Sequence, residues 1–345
     1  MPQTLDFNVT EEYLNAWLKF MDRNEISFDE YPGFLERASK ILDSGAELIR
    51  AFPHVSGVAA SLCYRDGQIV EDQPCITFFV SEKLPLRKLG DRRIPSSIDG
   101  IPTDVVEAGV PELHMSATGH VSGVRSRPAE PGDSIGHTNA TSGTLGCLVE
   151  DDDGIQYVLS CAHVLSDVAA SSGDAILQPG PHFGGTVPGD QIASLTRSLP
   201  LKPGTCIADA AIAEVSKPED VTSTIKYVGV KPRGTRTLHG IGLRVLKSGD
   251  TTGLTDGVVT GIYATIGPLS AIGVADIFFT DAVVTSGMSR PGDSGSLLLD
   301  NQGQAIGLLF GGLKSADDAD QISYVASWFN PIEPVLDNLG VHLAP

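Results

Sequence analysis

From Thr141 onward the chain is a succession of short strand-like runs broken by glycine, proline and aspartate. They are Gly146 to Glu150, Tyr157 to Ser160, Asp209 to Val215, Val258 to Thr265, Ile277 to Val284 and Ser296 to Leu299. Runs of this length and spacing predict an all-β barrel or sandwich. The composition agrees, because 41% hydrophobic residues can fill a core while 38 Gly and 22 Pro supply many turns. A last run, Val325 to Leu339, carries Phe329, Ile332, Val335, Leu336 and Leu339 at helical spacing and predicts a terminal helix.

The first third of the chain has a different pattern. Thr10 followed by Glu11 and Glu12 suits a helix N-cap, and Tyr13, Leu14, Trp17, Leu18 and Met21 recur at helical spacing. A second helical stretch, Phe34 to Ile49, gives way to strand-like runs at Val55 to Tyr64, Cys75 to Val80 and Asp104 to Glu107, with a turn at Arg65-Asp66-Gly67. A chain of 345 residues accommodates more than one domain. The expected division is therefore a small α/β domain over residues 1–112, a linker or long loop over 113–138 rich in Pro, Gly, Ser and His, and a β domain over 139–345.

Charge and cysteine content exclude several functions. With 24 Lys and Arg against 43 Asp and Glu the net charge is −19, so phosphate-rich partners are repelled and nucleic acid is not an expected partner. Solubility is the plain meaning of that charge, and steering of basic protein substrates the sharper one. No run reaches the ~18 apolar residues that a membrane span requires, and the first residues lack a basic start followed by an apolar stretch. Cys63, Cys75, Cys147, Cys161 and Cys206 are odd in number and form no C-x-x-C pair, which fits reduced thiols in the cytoplasm and no structural metal.

The stretch Arg290-Pro291-Gly292-Asp293-Ser294-Gly295-Ser296 carries the chemistry. A nucleophilic serine needs backbone N–H groups converging on the oxyanion it creates, and Gly292 lets the main chain approach a substrate carbonyl without a Cβ in the way. The expected donors are the N–H groups of Gly292 and Ser294. A serine hydroxyl also needs a base, and His163, directly after the run Tyr157 to Ser160, is set where an imidazole can emerge from a strand end. Asp209, at the start of an apolar strand, must find a partner for its charge and is the candidate that orients His163.

Ser-Cys-Ala-His163, Asp209-Ala-Ala-Ile-Ala and Gly-Asp-Ser294-Gly-Ser stand in the His, Asp, Ser order of trypsin-like serine proteases, and the gaps between them leave room for two barrels. The chain resembles that family. Ser142 to Cys147 and Lys247 to Gly257 are similar to its intracellular Narrow Leaf-type branch of plants and bacteria, and residues through Asp99 to Val105 resemble a domain that precedes the protease in bacterial relatives. The resemblance implies a two-barrel protease behind a small α/β domain, with His163, Asp209 and Ser294 as triad and no cofactor or metal. It also implies a substrate pocket based near Met288 and walled by Phe310, Gly311 and Gly312. Met288 is no carboxylate, so an apolar or small substrate side chain is expected rather than a basic one.

Two features depart from the secreted family members. Val164 rather than a cysteine follows His163, and no activating N-terminal tetrapeptide lies near residue 140, so Asp293 needs another partner. Arg125 and Arg127, read as exposed, make the linker a candidate processing site for an upstream activating protease. The expected partner is a protein or peptide substrate, with a homo-oligomer left open. The competing reading is a non-catalytic binding module on the same fold, and an esterase of the Gly-x-Ser-x-Gly elbow type does not fit Gly-Asp-Ser-Gly before a strand.

Overall fold

The computed structural model describes residues 9–20, 25–52, 54–65, 68–113, 123–314 and 324–345. Two large, mainly antiparallel sheets dominate it, one of eight strands and one of twelve.

In the eight-stranded sheet, Gln156–Ser160 lies between Cys147–Glu150 and Ala211–Val215. Its register pairs Tyr157 with Glu214 and Ser160 with Ala211. Antiparallel pairing at that point brings the residue stretch after Ser160 beside the one before Ala211, and this alone puts His163 next to Asp209. The hydrogen-bonded path of this sheet runs from His342–Leu343 to Gly143–Thr144 without returning on itself.

The larger sheet contains a closed ring: Val274–Ser286, Tyr324–Pro331, Ala305–Lys314, Leu297–Asp300, Arg244–Gly249 and Gly253–Ala271, the last pairing back to the first. The strand Gly253–Ala271 is long enough to serve more neighbours than the ring needs. Its Ile262, Thr265 and Ile266 pair with Ala60, Val58 and Gly57 of Val55–Arg65. That strand forms a hairpin with Gln68–Val80, which pairs in parallel with Ile101–Glu107. The expected boundary at residue 112 is thus crossed by the sheet itself: the strands assigned to a separate unit cover an edge that would otherwise expose unpaired N–H and C=O groups.

Helices Val9–Phe20, Phe34–Leu42 and Gly45–Ala51 supply the α component. Tyr13, Trp17 and Phe20 fall on one face and are buried, as are Phe34, Ala38, Ile41 and Leu42, the i, i+4, i+7 stripe of an amphipathic helix. Thr10 lies inside the first helix rather than at its cap. Leu42 offers its carbonyl to Thr265 Oγ1 at 3.4 Å, so these helices rest directly on the long strand of the second half. No helix among the described residues is long and apolar enough to cross a membrane.

Two other expectations are corrected. The run from Val325 to Leu339 is not one helix: Tyr324–Pro331 is a ring strand, and the helix is Ile332–Leu339. Val325 to Phe329 pack as strand core, while Pro331, at φ −55, ends the ladder and starts the helix. The described part of the stretch read as a linker, residues 123–138, is also tied into the fold. Ser134–His137 is a fully buried strand, and Arg127 is not exposed, its guanidinium donating to the carbonyls of Gln178 at 3.1 Å and Asp190 at 3.3 Å. Arg125 is exposed as expected, and pairs with Asp190 at 3.0 Å. Residues 114–122 lie outside the described residues.

Candidate active site

Cys161 leaves the strand Gln156–Ser160 in an extended conformation and caps the short helix Ala162–Leu165, all four residues of which are buried. His163 turns from this helix onto Asp209, which has no exposed surface. One carboxylate oxygen accepts the His163 backbone N–H at 3.1 Å and the other meets Nδ1 of the ring. An ionised carboxylate can only accept, so Nδ1 carries the ring proton and the neutral imidazole presents its lone pair at Nε2. That Nε2 is buried and has no hydrogen-bond partner among the described residues.

Ser294 lies in the tight loop between Val274–Ser286 and Leu297–Asp300. The Ser294 carbonyl accepts the Thr144 N–H at 2.8 Å, and its Oγ donates to the Phe310 carbonyl at 3.5 Å, the long end of the hydrogen-bond range. The loop and the histidine helix converge on one atom. The Leu309 carbonyl accepts both the Gly295 N–H at 2.8 Å and the Cys161 thiol at 2.9 Å, tying the residue after Ser294 to the cap of the His163 helix.

The peptide planes on either side of Gly292 are fixed from outside. The Pro291 carbonyl accepts Thr251 Oγ1 at 2.7 Å and the Gly292 carbonyl accepts Thr144 Oγ1 at 2.9 Å. Because the N–H of a trans peptide lies opposite its C=O, the Gly292 N–H points away from Thr251. Gly292 itself sits at φ 99, a conformation for which glycine is suited. Its N–H makes no hydrogen bond among the described residues although the residue is buried, an unusual state for a buried donor.

Asp293 is the hub that holds this loop. Its Oδ1 accepts the N–H groups of Thr251 and Thr252, both at 3.0 Å, and its Oδ2 accepts the Arg290 N–H at 2.9 Å and Thr252 Oγ1 at 2.7 Å. Lys247 Nζ lies 3.2 Å from Oδ2, with both side chains fully buried. Burial alone would raise the Asp293 carboxyl, but the Lys247 charge and the converging donors hold it below the ordinary aspartate value. Lys247 is the functional neighbour that reading the sequence missed. The available signal was its place in Arg244–Gly249, where Val245, Lys247 and Gly249 alternate onto one buried face. A second acid stands close by: Asp250, its N–H on Thr144 Oγ1 at 3.0 Å, has its carboxyl pushed up to about 8 by burial and by the charges of Asp293 and Asp133.

Met288 is buried beside the loop, its N–H donating to Ser327 Oγ at 3.0 Å, and the Ser289 and Ser327 hydroxyls are 2.6 Å apart. The hydrogen-bond partners of Met288 are Ser327 and Thr255, both neutral. The Phe310 ring is buried, with Phe279 and Trp328 at centroid distances of 4.8 Å and 6.0 Å, and its carbonyl meets Ser294 Oγ. Gly311 and Gly312 continue the strand past Ser294, where they pair with Leu113 and Glu112.

Cys161, His163 and Asp209 bring three metal-capable atoms within 4.8 Å of one another. The set does not suit a metal. Burial and the Asp209 charge push the Cys161 thiol well up, keeping it protonated on Leu309, and both Asp209 oxygens are engaged by His163.

Residues 142–308, which contain His163, Asp209 and Ser294, match the family model of the trypsin-like peptidase domain. No curated protein matches the chain. Similar solved structures include Thermobifida fusca protease A, 21% identical over 62% of this chain and 97% of that one with a TM-score of 0.45. Nocardiopsis protease is 19% identical over 63% and 98% with a TM-score of 0.46, and Cellulomonas bogoriensis chymotrypsin 18% over 62% and 97% with a TM-score of 0.44.

Proposed function

We propose that the chain is a serine endopeptidase whose triad is His163, Asp209 and Ser294. The match of residues 142–308 to the trypsin-like peptidase domain supports the class of reaction. The observation that carries the assignment is the orphaned, buried Nε2 of an imidazole whose other nitrogen is committed to Asp209. A buried acceptor without a partner is costly, on the order of 1–3 kcal/mol, and is explained if it serves as a base.

Rotation of Ser294 Oγ from the Phe310 carbonyl toward Nε2 sets up the attack. Oγ then bonds to the substrate carbonyl carbon as its proton passes to Nε2, and Asp209 stabilises the resulting imidazolium. The N–H groups of Gly292 and Ser294 receive the oxyanion, and the imidazolium returns its proton to the departing amine. Water, deprotonated by the same nitrogen, hydrolyses the acyl-enzyme. The neutral side chains of Met288, Ser289 and Ser327 favour a small or apolar side chain in the substrate pocket. An intracellular setting is supported by five cysteines that form no disulfide, and the Narrow Leaf-type branch by the resemblance of Ser142 to Cys147 and Lys247 to Gly257.

A second reading, a binding module with an idle triad, is favoured by one observation: His163 Nε2 accepts no hydrogen bond from Ser294. Fluorophosphonate treatment of the full chain and of Ser294→Ala, followed by intact mass and peptide mapping, separates the two. A single adduct on Ser294, absent from the variant, is expected. An unlabelled wild-type protein at reagent concentrations that modify a control protease would leave the binding module standing.

A further inference from the structure

The strand Ala305–Lys314 changes neighbours as it passes Ser294. Up to Leu308 one of its edges is taken by Leu297–Asp300, with Leu297 opposite Leu308. Before Leu297 the chain turns away into the Ser294 loop, so that edge would be bare from Gly311 onward, while the opposite edge stays paired through Trp328 and Ser327. The vacated edge is filled by Val110–Leu113, antiparallel, with Leu113 opposite Gly311, Glu112 opposite Gly312, Pro111 opposite Leu313 and Val110 opposite Lys314.

This added strand lies on the same side as the nucleophile loop and points its C-terminal end at it. Leu113 faces Gly311, one residue beyond Phe310, whose carbonyl holds Ser294 Oγ. The backbones are so close that a Cβ on Gly311 would stand 2.5 Å from the Glu112 carbonyl oxygen. An extended peptide that presents a bond to Ser294 has to be held by main-chain hydrogen bonds to a strand edge, and this is the edge beside the serine. It is already occupied, by four residues of which Val110 is 54% exposed and Pro111 has no N–H to give. So short an edge strand is weakly held.

We propose that Val110–Leu113 is a built-in, substrate-like strand, which an extended peptide must displace by strand exchange to reach Ser294. The inference rests on the protease reading for the identity of its competitor. It makes the full chain self-restrained: apparent affinity for peptide is lowered by the fraction of molecules in which the edge is free. It also defines the peptide that fits, one with an unblocked extended backbone and an apolar side chain where Leu113 now lies.

Two measurements keep this inference apart from the reading beneath it. In the full chain carrying Ser294→Ala, where chemistry plays no part, binding of a fluorescein-labelled Val-Pro-Glu-Leu peptide is followed by anisotropy. Adding Glu112→Pro, which removes the N–H opposite Gly312, should tighten binding about tenfold, and adding Leu113→Ala about threefold. Leu113→Ala keeps the backbone intact and decides the matter if thermal melting shows that the proline variant does not fold. Unchanged affinity in a folded variant overturns the built-in strand. With Ser294 present, labelling by a small fluorophosphonate, which needs no strand edge, should stay within about twofold across the same variants. Its absence in every form would remove the protease reading, while the peptide affinities would still decide for or against strand displacement.

Discussion

Asp209 and Asp293 are both fully buried, and both stand one contact away from the proposed chemistry, yet their surroundings are opposite. Asp293 is saturated by three backbone N–H groups, a hydroxyl and the Lys247 ammonium. The described partners of Asp209 all belong to one residue, the N–H and the ring of His163. A carboxylate whose charge is already compensated can only hold a shape. One left under-compensated in a low-dielectric site keeps a field that a developing cation will feel. In the proposed mechanism, Asp293 then fixes the shape of the loop that bears Gly292, and Asp209 orients the imidazole of His163.

The largest effect should follow from neutralising the second. Asp209→Asn keeps the volume but offers an amide N–H to Nδ1, which drives the ring proton to Nε2 and removes the lone pair. Peptidase kcat should fall about 10³- to 10⁴-fold while the melting temperature changes little, because no other buried charge is orphaned. A variant that keeps more than a tenth of wild-type activity would break the comparison at this end.

The other end is tested by Lys247→Met. The substitution leaves Asp293 buried without its cation but with its other donors, so unfolding free energy should drop by about 3 kcal/mol, read from a denaturant midpoint. Activity should fall too, as the loop bearing Gly292 loosens, though less than for Asp209→Asn. Equal stability of variant and wild type would mean that the hydrogen bonds alone satisfy Asp293 and that Lys247 adds nothing.

The same contrast explains which parts of the molecule could be read from the chain. His163, Asp209 and Ser294 each stand at a strand end with small or glycine neighbours, so short-range pattern pointed to them, and the register of Ser160 on Ala211 supplied the contact between two of them. Lys247 was invisible as a partner because what commits it, the donors of Thr251, Thr252 and Arg290 closing around Asp293, is assembled from segments distant in sequence. The helices and most strands of the first third were legible from periodicity. Their attachment to Gly253–Ala271 was not, since an edge pairing leaves no periodic trace in either strand. The segment from Val325 misled for a related reason: Phe329 belongs to a strand and Ile332 to a helix, and apolar residues on both sides of Pro331 mimic one helical stripe.

Asp250, a third buried acid beside the loop, sharpens the comparison with the smallest expected effect. Its carboxyl is pushed up to about 8 by burial first, then by the charges of Asp293 and Asp133. In the unfolded chain an aspartate titrates near ~3.9, so between that value and about 8 the native state holds a proton that the unfolded state has released. Stability therefore falls as pH rises through this window and levels off above it, the reverse of a salt-bridged aspartate. Asp250→Asn removes the titration. The variant should match wild type near pH 4 and exceed it by on the order of 1–2 kcal/mol at pH 8, less than the shift alone would imply, because the amide must still be buried. Parallel pH dependences of the melting temperature in the two proteins would place the Asp250 charge in water, and leave Asp293 and Lys247 as the buried charges beside the loop that bears Gly292.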